Sequence, residues 1–240
     1  MHSDIAARLI GKHKNFVLTG EAGSGKTEVA INLALRMAAE GGREIHFFDM
    51  DQTKPLFRAR GAEEVLRSGG VHVHYQEQFM DAPTVAPAVS ERLRDSESVV
   101  LLDVGGGAYG SHMIGQFSCF LGGEDTLVLY LVNPYRPWSG TRGDIEETMR
   151  RVLGAARLGG CAMAVVANPN FGRDTSCDDI IGGLAALERL LPETPASFVC
   201  AVEGLAGAVG ERTALPVLPI RLYTLPEWMA GSGADLRDKE

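Results

Sequence analysis

The sequence predicts an α/β fold, a doubly wound, mainly parallel sheet of about seven or eight strands with helices on both faces. Three observations predict it. Short apolar runs alternate with longer helical patterns, as in repeated strand–helix units covered on both sides. A glycine-rich segment, TGEAGSGKTE (19–28), separates the first run from the first long helical pattern. The chain has 240 residues, 45% hydrophobic and 22% charged, enough for one domain over 1–240 with a sizeable core.

The runs are NFVLT (15–19), EIHFFDM (44–50), VHVHY (71–75), VVLLDV (99–104), TLVLYLV (126–132), AMAVVAN (162–168), SFVCAV (197–202) and LPVLPI (215–220). Between the first two, TEVAINLALRMAAE (27–40) is apolar nearly all round and reads as a central helix packed on the sheet, stopped by Gly41 and Gly42. Asp144 to Ala156 places Ile145, Met149, Val152, Leu153 and Ala156 at helical spacing, with Asp144 and Glu147 as an Asp-x-x-Glu start. The polar end GSGADLRDKE, from about residue 230, is expected to fray.

A formal charge of −8 disfavours binding to the nucleic-acid backbone, which needs a dense basic face. Cys119, Cys161, Cys177 and Cys200 stand far apart with no Cys-x-x-Cys pair, so they read as buried thiols of a reducing cytosol. The N-terminal MHSDIAARLIGKHKN lacks the apolar core of a signal peptide, and no stretch is long enough to span a bilayer, so a cytoplasmic protein without membrane attachment is expected.

Gly20-Glu21-Ala22-Gly23-Ser24-Gly25-Lys26-Thr27 matches G-x-x-x-x-G-K-[ST] directly after an expected strand and before an expected helix. Glycines let consecutive backbone N–H groups converge on phosphate oxygens, and the helix N-terminus adds donors and partial positive charge. Lys26 supplies a full cation for the β- and γ-phosphates, and the Thr27 hydroxyl is placed to ligate Mg²⁺. Gly20, Gly23, Ser24, Gly25, Lys26 and Thr27, with Glu28 following, form the candidate nucleotide-binding set.

A magnesium nucleotide needs carboxylates at neighbouring strand ends. Asp103 ends VVLLD and opens an Asp-x-x-Gly loop that brings the Gly106 N–H toward a γ-phosphate; capping the next turn is the alternative for Asp103. In FFDMDQTKP, Asp49 and Asp51 lie two apart and share a side of an extended chain. Asp51, further out, is the candidate for orienting water, while Asp49 serves equally well as a cap. Lys26, Asp51 and Asp103 are the candidate catalytic residues, and Thr27, Asp51 and Asp103 the candidate metal residues.

The loop, DMDQ, LLDVGG and VVANPN together resemble the MinD/ParA/CobQ-like P-loop ATPases, the class that includes nitrogenase iron protein and dethiobiotin synthetase. The resemblance runs from about residue 14 to 175 and more weakly to about 228; DMDQTKPLFRAR, DVGGGAYG, VNPYRPW and ANPNFGRDT resemble a bacterial subgroup of ATP-binding proteins. It implies ATP at the carboxyl edge of a doubly wound sheet, often inside a nucleotide-dependent homodimer. It also implies that Asp51 is a switch I aspartate, that Asp103 and Gly106 belong to switch II, and that Asn168 contacts adenine. The Asn-Lys-x-Asp pattern of guanine readers is absent, since Asn168 is followed by Pro169-Asn170-Phe171. The chain departs from the family at Glu21, where MinD and ParA proteins carry a lysine that reaches across the dimer, and Ala22 replaces a glycine. A triphosphate repels a carboxylate, so Glu21 is expected to turn toward a basic group on this chain or a partner.

Arg58 and Arg60 could bind an acidic acceptor or a partner's phosphates, or lie in a solvated switch region. His72 and His74 share a strand face but supply too few ligands for a metal. Tyr135, Arg136 and Trp138 follow a strand on the expected P-loop edge, where they could meet a partner or cover the core. The function this implies is a slow, Mg²⁺-dependent ATPase whose nucleotide state sets switch loops for a protein partner. The alternatives are an ATP-dependent kinase or ligase gripping an acidic small molecule through Arg58, Arg60 or Arg136, and a nucleotide-gated scaffold that does not hydrolyse.

Overall fold

The computed structural model describes residues 5–50, 59–74 and 85–224. All eight expected strands form: β1 (Asn15–Gly20), β2 (Glu44–Asp49), β3 (Val71–His74), β4 (Ser98–Asp103), β5 (Thr126–Val132), β6 (Ala162–Ala167), β7 (Ala196–Val202) and β8 (Val217–Ile220). They make one sheet in the order β3-β2-β4-β1-β5-β6-β7-β8, and each neighbouring pair is parallel. Every residue of β1, β4 and β5 is buried, because helices cover both faces there, whereas edge strand β3 alternates between buried and more exposed positions.

The helices are α1 (Ile5–Ile10), α2 (Lys26–Glu40), α3 (Ala59–Ser68), α4 (Val85–Arg94), α5 (Gly107–Gly115), α6 (Ser118–Leu121), α7 (Arg142–Ala156), α8 (Cys177–Leu190) and α9 (Glu203–Gly210). Phe16 and Leu18 of β1 pack with α1, α2 and α3 on one face, while Val17 joins the cores under α4 to α9 on the other. Helix α2 buries Val29, Ile31, Leu33 and Met37, each worth about 1.5–3 kcal/mol when removed from water. Gly41, in the left-handed region at φ 71°, ends it by donating its N–H to the Ala38 carbonyl. Among the described residues, no helix is long and apolar enough to cross a membrane.

Two expectations need correction. Helix α7 begins at Arg142, not Asp144, because Thr141 is the cap: its hydroxyl accepts from the Asp144 N–H at 3.2 Å and donates to the Asp144 carboxylate at 2.6 Å. The start signal is therefore Thr-x-x-Asp. Of the cysteines only Cys200 is buried; Cys119 is exposed, since its short helix turns Leu121 inward instead.

His46, His72 and His74 assemble across β2 and β3. The His46 and His74 rings are joined Nδ1 to Nε2 at 2.9 Å, His72 stacks on His46 at 4.8 Å, and His74 lies on Phe48 at 4.2 Å. Burial, followed by the charges of His46, His72, Arg92 and Arg67, pushes His74 down to about 4. Burial also lowers His46, against the opposing hydrogen bond that it donates to the Glu44 carboxylate. The unfolded chain therefore binds the extra protons first, so the cluster's contribution is intact above about pH 6.5. It is lost as the pH falls toward 4. Urea unfolding at pH 7 and pH 5 should show a drop that His74→Gln reduces; an identical pH dependence in the variant would contradict this origin.

Candidate phosphate-binding site

In the turn between β1 and α2, each carbonyl from Glu21 to Gly25 has a donor. Glu21 O accepts from Lys26 Nζ at 2.9 Å and the Ser24 N–H at 3.2 Å, and Ala22 O from Trp138 Nε1 at 3.3 Å. Gly23 O accepts from Arg136 Nε at 3.1 Å, Ser24 O from Asn168 Nδ2 at 2.7 Å, and Gly25 O from the Val29 N–H at 3.1 Å. Five successive carbonyls are thus satisfied. By contrast, the N–H groups of Gly23 and Gly25 have no acceptor among the described residues, and the buried hydroxyls of Thr19 and Ser24 have no partner. Donors left over at the mouth of a helix are what a polyanion would satisfy.

The bracing side chains come from the ends of β5 and β6, brought beside the loop because β5 pairs with β1 along its whole length. Buried Asn133 ties the two ends together, donating to Asn170 O at 2.9 Å while its Oδ1 accepts from the Tyr135 and Asn170 N–H groups. Tyr135 stacks on Phe171 at 4.1 Å and donates its hydroxyl to the Asp179 carbonyl. Arg136 N–H bonds to Asn133 O at 3.1 Å, and a 3-10 turn over Pro137–Ser139 carries Trp138 back to Ala22. Trp138 is 43% exposed, so it neither caps the core nor stands free of the loop.

Gly25 sits at φ 91°, and a Cβ there would overlap the Asn168 amide, so any other residue would disrupt the turn on two counts. Gly106 packs so closely that a Cβ would stand 2.9 Å from both N and Cα of Ala22. The Asp-x-x-Gly turn and the phosphate loop are therefore in direct contact. Lys26 is 7% exposed, and Thr27 lies in the first turn of α2.

Asp103 is buried at the end of β4, opposite Leu18 of β1 in register, and on its other side it faces Asp49 of β2. Alternation from Leu101 and from Phe47, both packed under α2, puts the two carboxylates on the α2 face. Asp51 and Arg58 lie outside the described residues. Glu21 turns away from the loop's interior and pairs with Arg151 of α7 at 2.8 Å, a basic group on this chain. Burial, reinforced by Glu21, pushes the nearby Tyr130 phenol up, so that it stays protonated.

Glu28 is engaged elsewhere, accepting from the Tyr223 N–H at 2.9 Å, the Thr224 N–H at 2.7 Å and the Thr224 hydroxyl at 2.6 Å. Asn32, one turn on, bonds both the N–H and the carbonyl of Arg221. The two side chains dock the chain after β8 onto α2. Between that segment and the loop, Gly25, Glu28, Asn168, Thr175, Val202 and Leu222 help line a cleft of ≈ 70 Å³. The docking role of Glu28 and the bracing roles of Trp138 and Arg136 had no local sequence signal beyond the placing of NPYRPW at the loop's edge of the sheet.

No family model matches the chain, and no curated protein matches it. Similar solved structures include chloroplast FtsY from Physcomitrella patens, 17% identical with a TM-score of 0.49, covering 78% of this chain and 58% of that one. Others are the signal recognition particle receptor FtsY from Elizabethkingia anophelis, at 17%, 0.44, 81% and 63%, and cell division protein ftsY from Thermotoga maritima, at 16%, 0.47, 82% and 68%. The chain thus spans under two thirds of the length of the first two.

Replacing Glu28 by Ala should remove three bonds to a charged acceptor and lower stability by about 2 kcal/mol, read by urea unfolding. Amide exchange at Tyr223 and Thr224 should accelerate ahead of the sheet. Unchanged exchange there would mean that another contact holds the segment.

Proposed function

We propose that the chain is a Mg²⁺-dependent ATP-binding protein of the MinD/ParA/CobQ-like kind, a slow ATPase whose nucleotide state rearranges the segments at Asp51 and Gly106 for a protein partner. The observation that carries this reading is that five successive loop carbonyls have donors, three of them side chains from the segments after β5 and β6, while the Gly23 and Gly25 N–H groups at the mouth of α2 have no acceptor among the described residues. Lys26 would draw the β- and γ-phosphates from its place beside the Glu21 carbonyl. Thr27, Asp103 and Asp49 offer the hard oxygen donors that suit Mg²⁺, directly or through water, and bound Mg²⁺ would neutralise charge between the β- and γ-phosphates.

The cleft beside Asn168 is the natural seat for the base. Its amide nitrogen is committed to the Ser24 carbonyl, so adenine contact would fall to its oxygen or to backbone groups nearby. The missing guanine-reading pattern after β6 favours ATP over GTP. Contact between Gly106 and Ala22 supports the switch reading, because a shift at the terminal phosphate would reach the Asp-x-x-Gly turn directly. The kinase or ligase reading draws less support, since Arg136, one of its three candidate acceptor arginines, is bonded to the loop.

Thermal unfolding with ATP, ADP and GTP, with and without Mg²⁺, tests the reading. Mg²⁺ and ATP at a hundred times Kd should stabilise the fold by about 2.7 kcal/mol, and Lys26→Ala should abolish most of the shift. In a Trp228→Phe background, ATP should also alter the emission of Trp138, whose indole is bonded to the loop. Indifference to every nucleoside triphosphate would overturn the proposal.

A further inference from the structure

We infer that Arg136 contacts the terminal phosphate of the bound triphosphate, placing a second cation from the same chain at that end of the loop. This rests on the nucleotide reading above and adds a residue to it. Two observations locate the terminal-phosphate end. Lys26, which must serve the β- and γ-phosphates, has its ammonium 2.9 Å from the Glu21 carbonyl. The Gly106 turn meets the loop at Ala22. Residues 21–23 are therefore the terminal limb, and Arg136 lies on Gly23: its Nε bonds the Gly23 carbonyl at 3.1 Å, and its Cζ and Nη2 come within 3.4 and 3.7 Å of where a Cβ would stand.

Arg136 differs from Arg142 and Arg151 in its pairing. After β5 the chain carries Arg142, paired with Glu146 and Glu193, and Arg151, paired with Glu21. Arg136 has no carboxylate within ion-pair distance among the described residues, and its two Nη groups have no hydrogen-bond partner there. The guanidinium thus has free donors beside the loop that an anion could take. Its Nε is already spent on positioning, which leaves the planar pair of Nη donors that suits two phosphate oxygens. The position is also preorganised, since Asn133 fixes the turn and Pro137 follows immediately. Lys26 and Mg²⁺ alone leave a triphosphate negatively charged, and Glu21 adds no cation where the family has one.

The test is calorimetry of wild type, Arg136→Gln and Arg136→Lys with Mg²⁺ and either a non-hydrolysable ATP analogue or ADP. A contact to the terminal phosphate predicts that Arg136→Gln weakens the triphosphate by about tenfold, roughly 1.4 kcal/mol, and changes ADP by less than about twofold. Arg136→Lys, which keeps the charge without the fork, should lose less and with the same preference. If the Gln variant does not fold, the Lys variant reads the same ratio. Equal weakening toward both nucleotides would reduce Arg136 to a brace of the loop and overturn the inference, as would no weakening. Wild type binding neither nucleotide would instead overturn the nucleotide reading, and this contact with it.

Discussion

The site depends on keeping a run of peptide carbonyls occupied by donors of this chain. A tight turn naturally presents N–H and C=O groups in both directions, and a carbonyl facing a phosphate would repel it. Here the donors that hold Glu21, Ala22, Gly23 and Ser24 are side chains of Lys26, Trp138, Arg136 and Asn168, the last three from the segments that follow β5 and β6. The turn therefore has its shape before any anion arrives, and binding need not supply that ordering free energy. Such preorganisation requires the carboxyl ends of β1, β5 and β6 to lie side by side, which the strand order provides.

The charges around the loop are arranged to the same end. Glu21 would repel a phosphate, yet its pairing with Arg151 takes the carboxylate out of play and links α7 to the loop. Tyr130 of β5, buried near this pair, stays protonated. The opposite side of β1 carries the carboxylates Asp103 and Asp49 in register. Arg136 on Gly23 and the carboxylates Asp103 and Asp49 thus flank the loop on opposite sides of the strand that leads into it.

Much of the architecture was legible because its signals are local. Apolar runs of five to seven residues mark strands buried on both faces, and the glycines around Lys26 mark a turn whose dihedrals only they adopt without strain. The start of α7 differs from the expected one because Asp144 looks like a cap, whereas the cap is Thr141, whose hydroxyl Asp144 bonds. The brace was not legible. Trp138 and Ala22 are far apart in sequence, and an indole bonding a carbonyl leaves no spacing pattern. Glu28 follows the motif's last residue, which makes it a binding candidate; it lines the cleft and also holds the segment after β8, a role with no local signal.

Glu28 links two parts of the molecule. Thr27 and Glu28 are consecutive in the first turn of α2, one the proposed metal residue and the other holding residues 223 and 224. The same turn receives the Gly25 carbonyl bond from Val29 and begins at the glycine pressed against Asn168. An adjustment of the α2 N-terminus therefore cannot stay confined to the loop. It must be passed to Asn168 on one side, to Gly106 through Ala22 on the other, and to the segment after β8 through Glu28. Closely packed elements transmit such shifts because they have little room to absorb them. Three separate chain segments are thus tied to one helix end, and that end is where a phosphate would bind.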